Sequence, residues 1–260
     1  MFSLSKWYCD SVTDDGDVFI GYSANLKWGA VAMNYASLLD YRGSHGPEVS
    51  FSLRREMPPK AERDTCRWSS RALRLNAVWK ATQPAISDVV YAQAGGVVEW
   101  WCGWPAADAQ VRIHGKPAMA GCGYVEHLHM TVPPWQLPIR ELRWGHFMGE
   151  SEYAVWIDWT GDYTRTFVFH NGQRYADSSI SNDRVTLQHG SIELDCGRTL
   201  RDGTIGSTSL AIIRGAVDLF PARVLQMKET KWRSAAVLRR PGVRDVHGWA
   251  IHESVVWPKV

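Results

Sequence analysis

Glu126 lies in the stretch Gly121-Cys122-Gly123-Tyr124-Val125-Glu126-His127-Leu128-His129-Met130, which is stopped soon after by Pro133-Pro134. A strand sends alternate side chains to opposite faces. Extended, this stretch places Tyr124, Glu126, Leu128 and Met130 on one face and Val125, His127 and His129 on the other. An acid among apolar neighbours and beside a phenol suits general-acid chemistry. Burial disfavours the charged carboxylate, and a carboxylic acid that stays protonated near neutral pH has a proton to give. The same acid would also serve as the structural partner of an arginine such as Arg140 or Arg143. If the other face points inward, the histidines become the acid–base candidates instead.

His127 and His129, at i and i+2, share a strand face as paired metal ligands do. No third histidine or acid follows at a recognisable spacing, so no metal is expected. In LRWGHF (142–147), Arg143 shares a face with Gly145 and Phe147, and Trp144 shares the other with His146. Arg143 is placed to orient an acid and Trp144 to offer a ring face, unless the segment is a packed strand with one exposed cation. In VWIDW (155–159), Trp156 and Asp158 share a face. Asp158 is thus a second acid beside a large ring, although acids before turns often serve local purposes. The chain holds 14 tryptophans. They make either a core of large rings or the wall of an apolar cavity. As wall residues, Trp100, Trp144, Trp156, Trp249, His129 and Arg143 are the candidates.

Other chemistries lack their signatures. There is no GxSxG elbow, no Walker loop and no GxGxxG between a strand and a helix. Gly121-Cys122-Gly123 lacks both the third glycine and the helix, so no nucleotide cofactor, and no other cofactor, is expected. No pattern supports a cysteine nucleophile.

The elements that must position these residues are short strands between turns. EVSFSLR (48–54) alternates, with Val49, Phe51 and Leu53 expected inward. Leu73, Leu75, Ala77 and Trp79 repeat the period, as do Ala109, Val111 and Ile113 before the turn His114-Gly115-Lys116-Pro117. Further strands are expected at 18–22, 121–131, 151–159, 163–170, 183–188, 191–194 and 247–257, and one short helix at 222–229. So many short strands predict an all-β sandwich or barrel. A faint echo links the halves. Trp7-Tyr8-Cys9-Asp10 and Gly123-Tyr124-Val125-Glu126-His127 match Trp156-Ile157-Asp158-Trp159 and Gly248-Trp249-Ala250-Ile251-His252-Glu253, with the acid displaced. Two related β units, 1–138 and 139–260, divided at the proline-rich stretch 133–138, would explain it.

The totals narrow the partners. At 260 residues and 45% hydrophobic, the chain can bury a substantial core. A net charge of +2 and a longest basic cluster of only Lys231-Trp232-Arg233 give no footprint for nucleic acid. Cys9, Cys66, Cys102, Cys122 and Cys196 are odd in number, widely spaced and without a CxxC pair, which fits a reducing compartment and a cytoplasmic location. The N-terminus lacks the charged and apolar regions of a signal peptide, and no run of 18 apolar residues exists. An integral membrane segment is not expected. Peripheral contact with a membrane and the oligomeric state stay open.

GCGYVEHLHM followed by PPW resembles the G-x-G-Y-x-[D/E] motif of the carotenoid 1,2-hydratase and tocopherol cyclase relatives, a group of two-domain lipocalin-like proteins. KWYCDSVTDDGDVFIGY resembles that group's first strands, and LRWGHF, ETKWRSAAVL and GWAIHESVVWP resemble its second-domain strands. The resemblance implies two lipocalin-like β-barrel domains packed together around an apolar cavity, with no metal or redox cofactor. It implies that an acid protonates a carbon–carbon double bond and that water or an internal nucleophile traps the cation. Glu126 would be the motif acid, Tyr124 the motif tyrosine, and His127 a neighbour that tunes or relays the proton. Where the hydratases carry a Trp-Gly pair, this chain has Leu128-His129-Met130, and it is short for that group, which points to a smaller or different substrate. The expectation is a cofactor-independent enzyme that hydrates or cyclises an apolar terpenoid, polyene or polyketide. A pericyclic cyclase that templates a polyene and a non-catalytic lipid or pigment carrier are the alternatives.

Overall fold

The computed structural model describes residues 1–43, 46–208 and 220–258. The protein is all-β and forms two barrel-like units, Met1–Pro133 and Pro134–Val260. The first unit contains β1 (Phe2–Val12), β2 (Val18–Trp28), β3 (Val31–Tyr41), β4 (Glu48–Ser52), β5 (Lys60–Glu62), β6 (Thr65–Ser70), β7 (Leu75–Ala81), β8 (Ile86–Gln93), β9 (Gly96–Ile113) and β10 (Met119–Met130). The second contains β11 (Ile139–Gly149), β12 (Tyr153–Gly161), β13 (Arg165–His170), β14 (Gln173–Tyr175), β15 (Arg184–Leu187), β16 (Gly190–Leu194), β17 (Arg198–Thr204), the one-turn helix α1 (Ala222–Leu225), β18 (Lys228–Arg240) and β19 (Val243–Val256).

The two sheets share one strand order. The first runs β4-β3-β2-β1-β10-β9-β7-β6-β5, with β8 paired to β9. The second runs β14-β13-β12-β11-β19-β18-β16-β15, with β17 paired to β18. In each, a meander of four strands is joined to the rest of the sheet by pairing its first strand with the last strand of the unit. The weak sequence echo therefore has a topological counterpart.

One face of each sheet builds its core. In the first unit Cys9, Phe19, Leu38, Trp68, Leu75, Trp79, Trp104, Val111 and Val125 pack together. Trp68, Trp79 and Trp104 are each at most 2% exposed. At about 200 Å² per indole and about 25 cal/mol per Å², each contributes of order 5 kcal/mol. The glycines of the 121–124 stretch serve this packing. A Cβ on Gly123 would come within 2.5 Å of the Trp79 ring, and one on Gly121 within 2.1 Å of the Val12 carbonyl oxygen. In the second unit Phe147, Trp156, Val168, Ile192, Leu238 and Ala250 form the core.

Two expectations need correction. β4 is a strand, but its apolar face is not the buried one: Val49, Phe51 and Leu53 are 43–46% exposed, and Ser52 is the one buried residue of the strand, at 7%. β3 sets this register. Ser50 and Ser52 lie opposite Leu38 and Ala36, which face the core, so Val49 and Phe51 must face away. The helix at 222–229 ends at Leu225, because Lys228 and Glu229 already belong to β18.

Candidate active site

The first unit's candidate site lies on the sheet face opposite its core. Tyr8 stands opposite Glu126, and Asp10 opposite Tyr124, across β1 and β10. Tyr8 also stands opposite Tyr22, Tyr22 opposite Ser37, and Ser37 opposite Phe51. Directly opposed residues share a face. Phe51, Ser37, Tyr22, Tyr8 and Glu126 therefore form one row across five strands. At about 4.8 Å per strand the row is roughly 19 Å long. It runs from Phe51, 43% exposed, to Glu126, 8% exposed.

A bulge in β9 completes the acid's surroundings. From Gly123 to Glu126, β10 advances three residues (126 − 123), while its partners on β9 run five (107 − 102), from Ala107 to Cys102. The extra residues keep Trp104 in the core opposite Val125 while Cys102 turns to Glu126's face. Bulges commonly re-aim side chains beside functional sites. The Cys102 thiol donates to the Val125 carbonyl oxygen at 3.4 Å. Burial, reinforced by the nearby Glu126 carboxylate, pushes this thiol well above its ordinary range.

Glu126 is held by two neutral donors. The Tyr124 hydroxyl and the Trp100 Nε1–H each donate to Glu126 Oε2 at 2.6 Å. Tyr124 is fully buried and Trp100 is 2% exposed. Burial, with Cys102 and Glu126 close by, raises the phenol's pKa, so Tyr124 stays protonated and keeps its role as donor. Both hydrogen bonds arrive at the same oxygen, Oε2. Negative charge on that oxygen meets two donors that already point at it. Two fixed donors of this kind stabilise a carboxylate. Beside it the Tyr8 hydroxyl donates to Asp10 Oδ2 at 2.7 Å, and the Tyr8 ring lies 6.0 Å from Tyr124 and 5.3 Å from Tyr22.

The histidines point the other way. His127 lies on the face of Val125, half-buried, with Nε2 2.8 Å from Ser5 Oγ and its ring 4.8 Å from Trp7. Burial and then His129 lower its pKa. His129 pairs with Glu99 at 3.1 Å. The fold brings Glu126, Tyr124 and Trp100 together but does not place His127 or His129 on their face.

The remaining candidates belong to the second unit and separate into two faces. On the face of the core, Arg143 reaches Glu141 at 2.8 Å and Asp158 at 3.4 Å, and Thr166 donates to Asp158 at 2.6 Å. Trp156 is packed into the core one row deeper. On the opposite face Trp144 carries Lys231 Nζ 5.1 Å above its ring and His146 beside it at 5.7 Å. Lys231, 1% exposed, pairs with Glu253. The Trp249 ring is covered by the Arg233 guanidinium at 4.4 Å.

Sequence reasoning missed Tyr8, Asp10, Tyr22, Lys231 and Glu253. The first two were visible only as half of an echo, and Lys231 only as part of a basic run. The echo itself gains meaning here. His127 lies opposite Trp101, and His252 opposite Trp232; each imidazole is also bonded to a serine, Ser5 and Ser234 respectively, at 2.8 Å. Glu126 precedes its histidine and Glu253 follows its own, so the displaced acids still occupy corresponding faces, away from the core. Among the described residues no group of three or more His, Cys, Asp or Glu side chains is arranged to hold a metal ion. Among them, too, no helix is long and apolar enough to cross a membrane.

No family model and no curated protein matches this sequence. Solved structures do match in fold. Kievitone hydratase from Nectria haematococca is similar with a TM-score of 0.56 and 12% identity, over 98% of this chain and 89% of that one. CghA is similar with a TM-score of 0.61 and 10% identity, over 98% of this chain and 88% of that one. CghA with Sch210972 gives 0.56 and 9% over the same shares. At such identities the likeness establishes the two-unit all-β fold that this chain shares with them.

Proposed function

We propose that the protein is an enzyme that protonates an apolar, unsaturated small molecule from Glu126 and directs the resulting cation to hydration or cyclisation, without a cofactor. The observation that carries this reading is the pair of 2.6 Å hydrogen bonds from neutral Tyr124 and Trp100 to one oxygen of a buried carboxyl. On this reading Glu126 Oε1 carries and delivers the proton. The rings of Tyr8 and Tyr22 continue from the acid along the same face, and aromatic faces stabilise a desolvated cation by of order 2 kcal/mol. The fold shared with a protein named kievitone hydratase supports hydration as one outcome.

The test is to incubate the protein with extracts rich in polyenes and isoprenoids and compare masses with a Glu126→Gln control. A product heavier by one water marks a hydratase, and an isobaric product with a new retention time marks a cyclase. E126Q must abolish either product while the fold survives; near-full turnover by E126Q refutes acid catalysis. The aromatic row favours a second reading, a cyclase that acts by templating a polyene. Y8L and Y22L would then reduce turnover more than E126Q does.

A further inference from the structure

A separate cleft of about 490 Å³ opens in the first unit, on the core side of the sheet rather than on Glu126's face. Its floor is aromatic. Trp104 is buried, while Trp101 is 36% exposed and packs edge-on against Trp104 at 5.5 Å and Trp7 at 6.0 Å. Gly103 allows this pose, since a Cβ there would come within 2.5 Å of the Trp101 ring. A large indole left open to solvent over a glycine is a stacking platform.

The rim supplies a cation and an amide. Arg63 and Gln83 line the cleft, and neither side chain has a hydrogen-bonding or ionic partner among the described residues. Arg63 also breaks a local rule. It is the first residue of the two-residue turn between β5 and β6, Glu62 pairing with Thr65, and takes φ 51°. Glycine is the usual residue where the first turn position needs positive φ. A bulky side chain kept there at a conformational cost is the mark of a residue retained for a purpose other than stability.

We propose that this cleft is a second binding site, for a planar aromatic monocarboxylate that stacks on Trp101 and is gripped by the Arg63 guanidinium. The guanidinium fork matches a carboxylate at two points, and Gln83 can complete the hydrogen bonding. Asp64, on the same rim, repels a dianion and so disfavours a phosphate monoester. The volume lies within the range of small-molecule sites and accommodates a two-ring ligand.

Isothermal titration calorimetry with naphthoate tests this, with naphthalene methanol as the uncharged probe. Naphthoate should bind saturably, and the alcohol at least tenfold more weakly. W101A should abolish binding. R63G should weaken it at least tenfold yet raise Tm, because glycine relieves the turn. That opposition of signs separates a binding role from a structural one. E126Q, on the other face of the sheet, should bind naphthoate as the wild type does. No saturable binding in the millimolar range, R63G binding as tightly as the wild type, or loss of binding in E126Q would each overturn the proposal.

Discussion

His252→Gln measures how strongly the core of the second unit resists charge. His252 is 3% exposed, stacks on Trp232 at 5.1 Å and places Nε2 2.8 Å from Ser234 Oγ. Burial first, then Lys231 and His146, hold its pKa down at about 3 against an ordinary 6.5. The unfolded chain takes up this proton near pH 6.5, whereas the native chain refuses it until about pH 3. Between those values the unfolded state binds more protons, so the imidazole's contribution is complete above pH 6.5 and declines as pH falls. At about 1.36 kcal/mol per pH unit the loss is about 2.7 kcal/mol by about pH 4.5, and of order 5 kcal/mol over the whole window. Glutamine can offer an amide group near the position of Nε2 but does not titrate. Urea unfolding of wild type and H252Q, followed by tryptophan fluorescence from pH 8 to about 4.5, gives two stability curves whose difference removes every other titrating group. That difference should be flat above pH 7 and move by about 2–3 kcal/mol in favour of H252Q by pH 4.5. Parallel curves across the range would refute the account of a neutral imidazole sealed in the core.

Trp100→Phe and Tyr124→Phe each delete one hydrogen bond to an oxygen that gains charge in the proposed reaction. Each should lower kcat by roughly 30-fold, equivalent to about 2 kcal/mol, with little change in KM; turnover within twofold of wild type would contradict the role assigned to Oε2. Arg143→Met removes the cation shared by Glu141 and Asp158, leaves them their hydroxyl donors Ser254 and Thr166, and should cost about 1–2 kcal/mol after allowance for the 23% exposure of the guanidinium. Asp158→Asn in that background should recover part of the loss, as read from urea midpoints. Of the five free thiols, exposed Cys122 should react first with a disulfide reagent and part-exposed Cys196 next. Cys9, Cys66 and Cys102 are buried and pushed up, Cys66 to about 12, and should react only on unfolding; early modification of any of these three would count against the packing described.

Alternation made most strands legible, because period two survives wherever one face is buried. It located the acid strand, the strand of Leu75, Ala77 and Trp79, and the face shared by Tyr124 and Glu126. It did not reveal which face of β4 meets the core, since that depends on pairing with Leu38 in β3, a partner that local sequence does not specify. β18 was legible only through family resemblance. Its residues Glu229 and Lys231 are charged yet buried, at 3% and 1%, so the polar positions that normally mark a solvent face lie inside. The site was half legible for a related reason. Trp100 was named as a wall residue, but its bond to Glu126 requires the β9 bulge, and the bulge is visible only once two strands are set side by side.

The pairing of first and last strand in each unit also has a consequence for biosynthesis. Leu4 pairs with Met130, 126 residues later (130 − 4), and Glu141 with Val256, 115 residues later (256 − 141). At about 5–20 residues per second, the nascent β1 edge waits roughly 6–25 s for its partner. The four-strand meander can form early from local hairpins and already contains Tyr8, Asp10 and Tyr22. Glu126 arrives on the last strand. A chain stalled on the ribosome before residue 119 should therefore remain protease-sensitive and lack Glu126, which arrives only with the strand that joins the meander to the rest of the sheet.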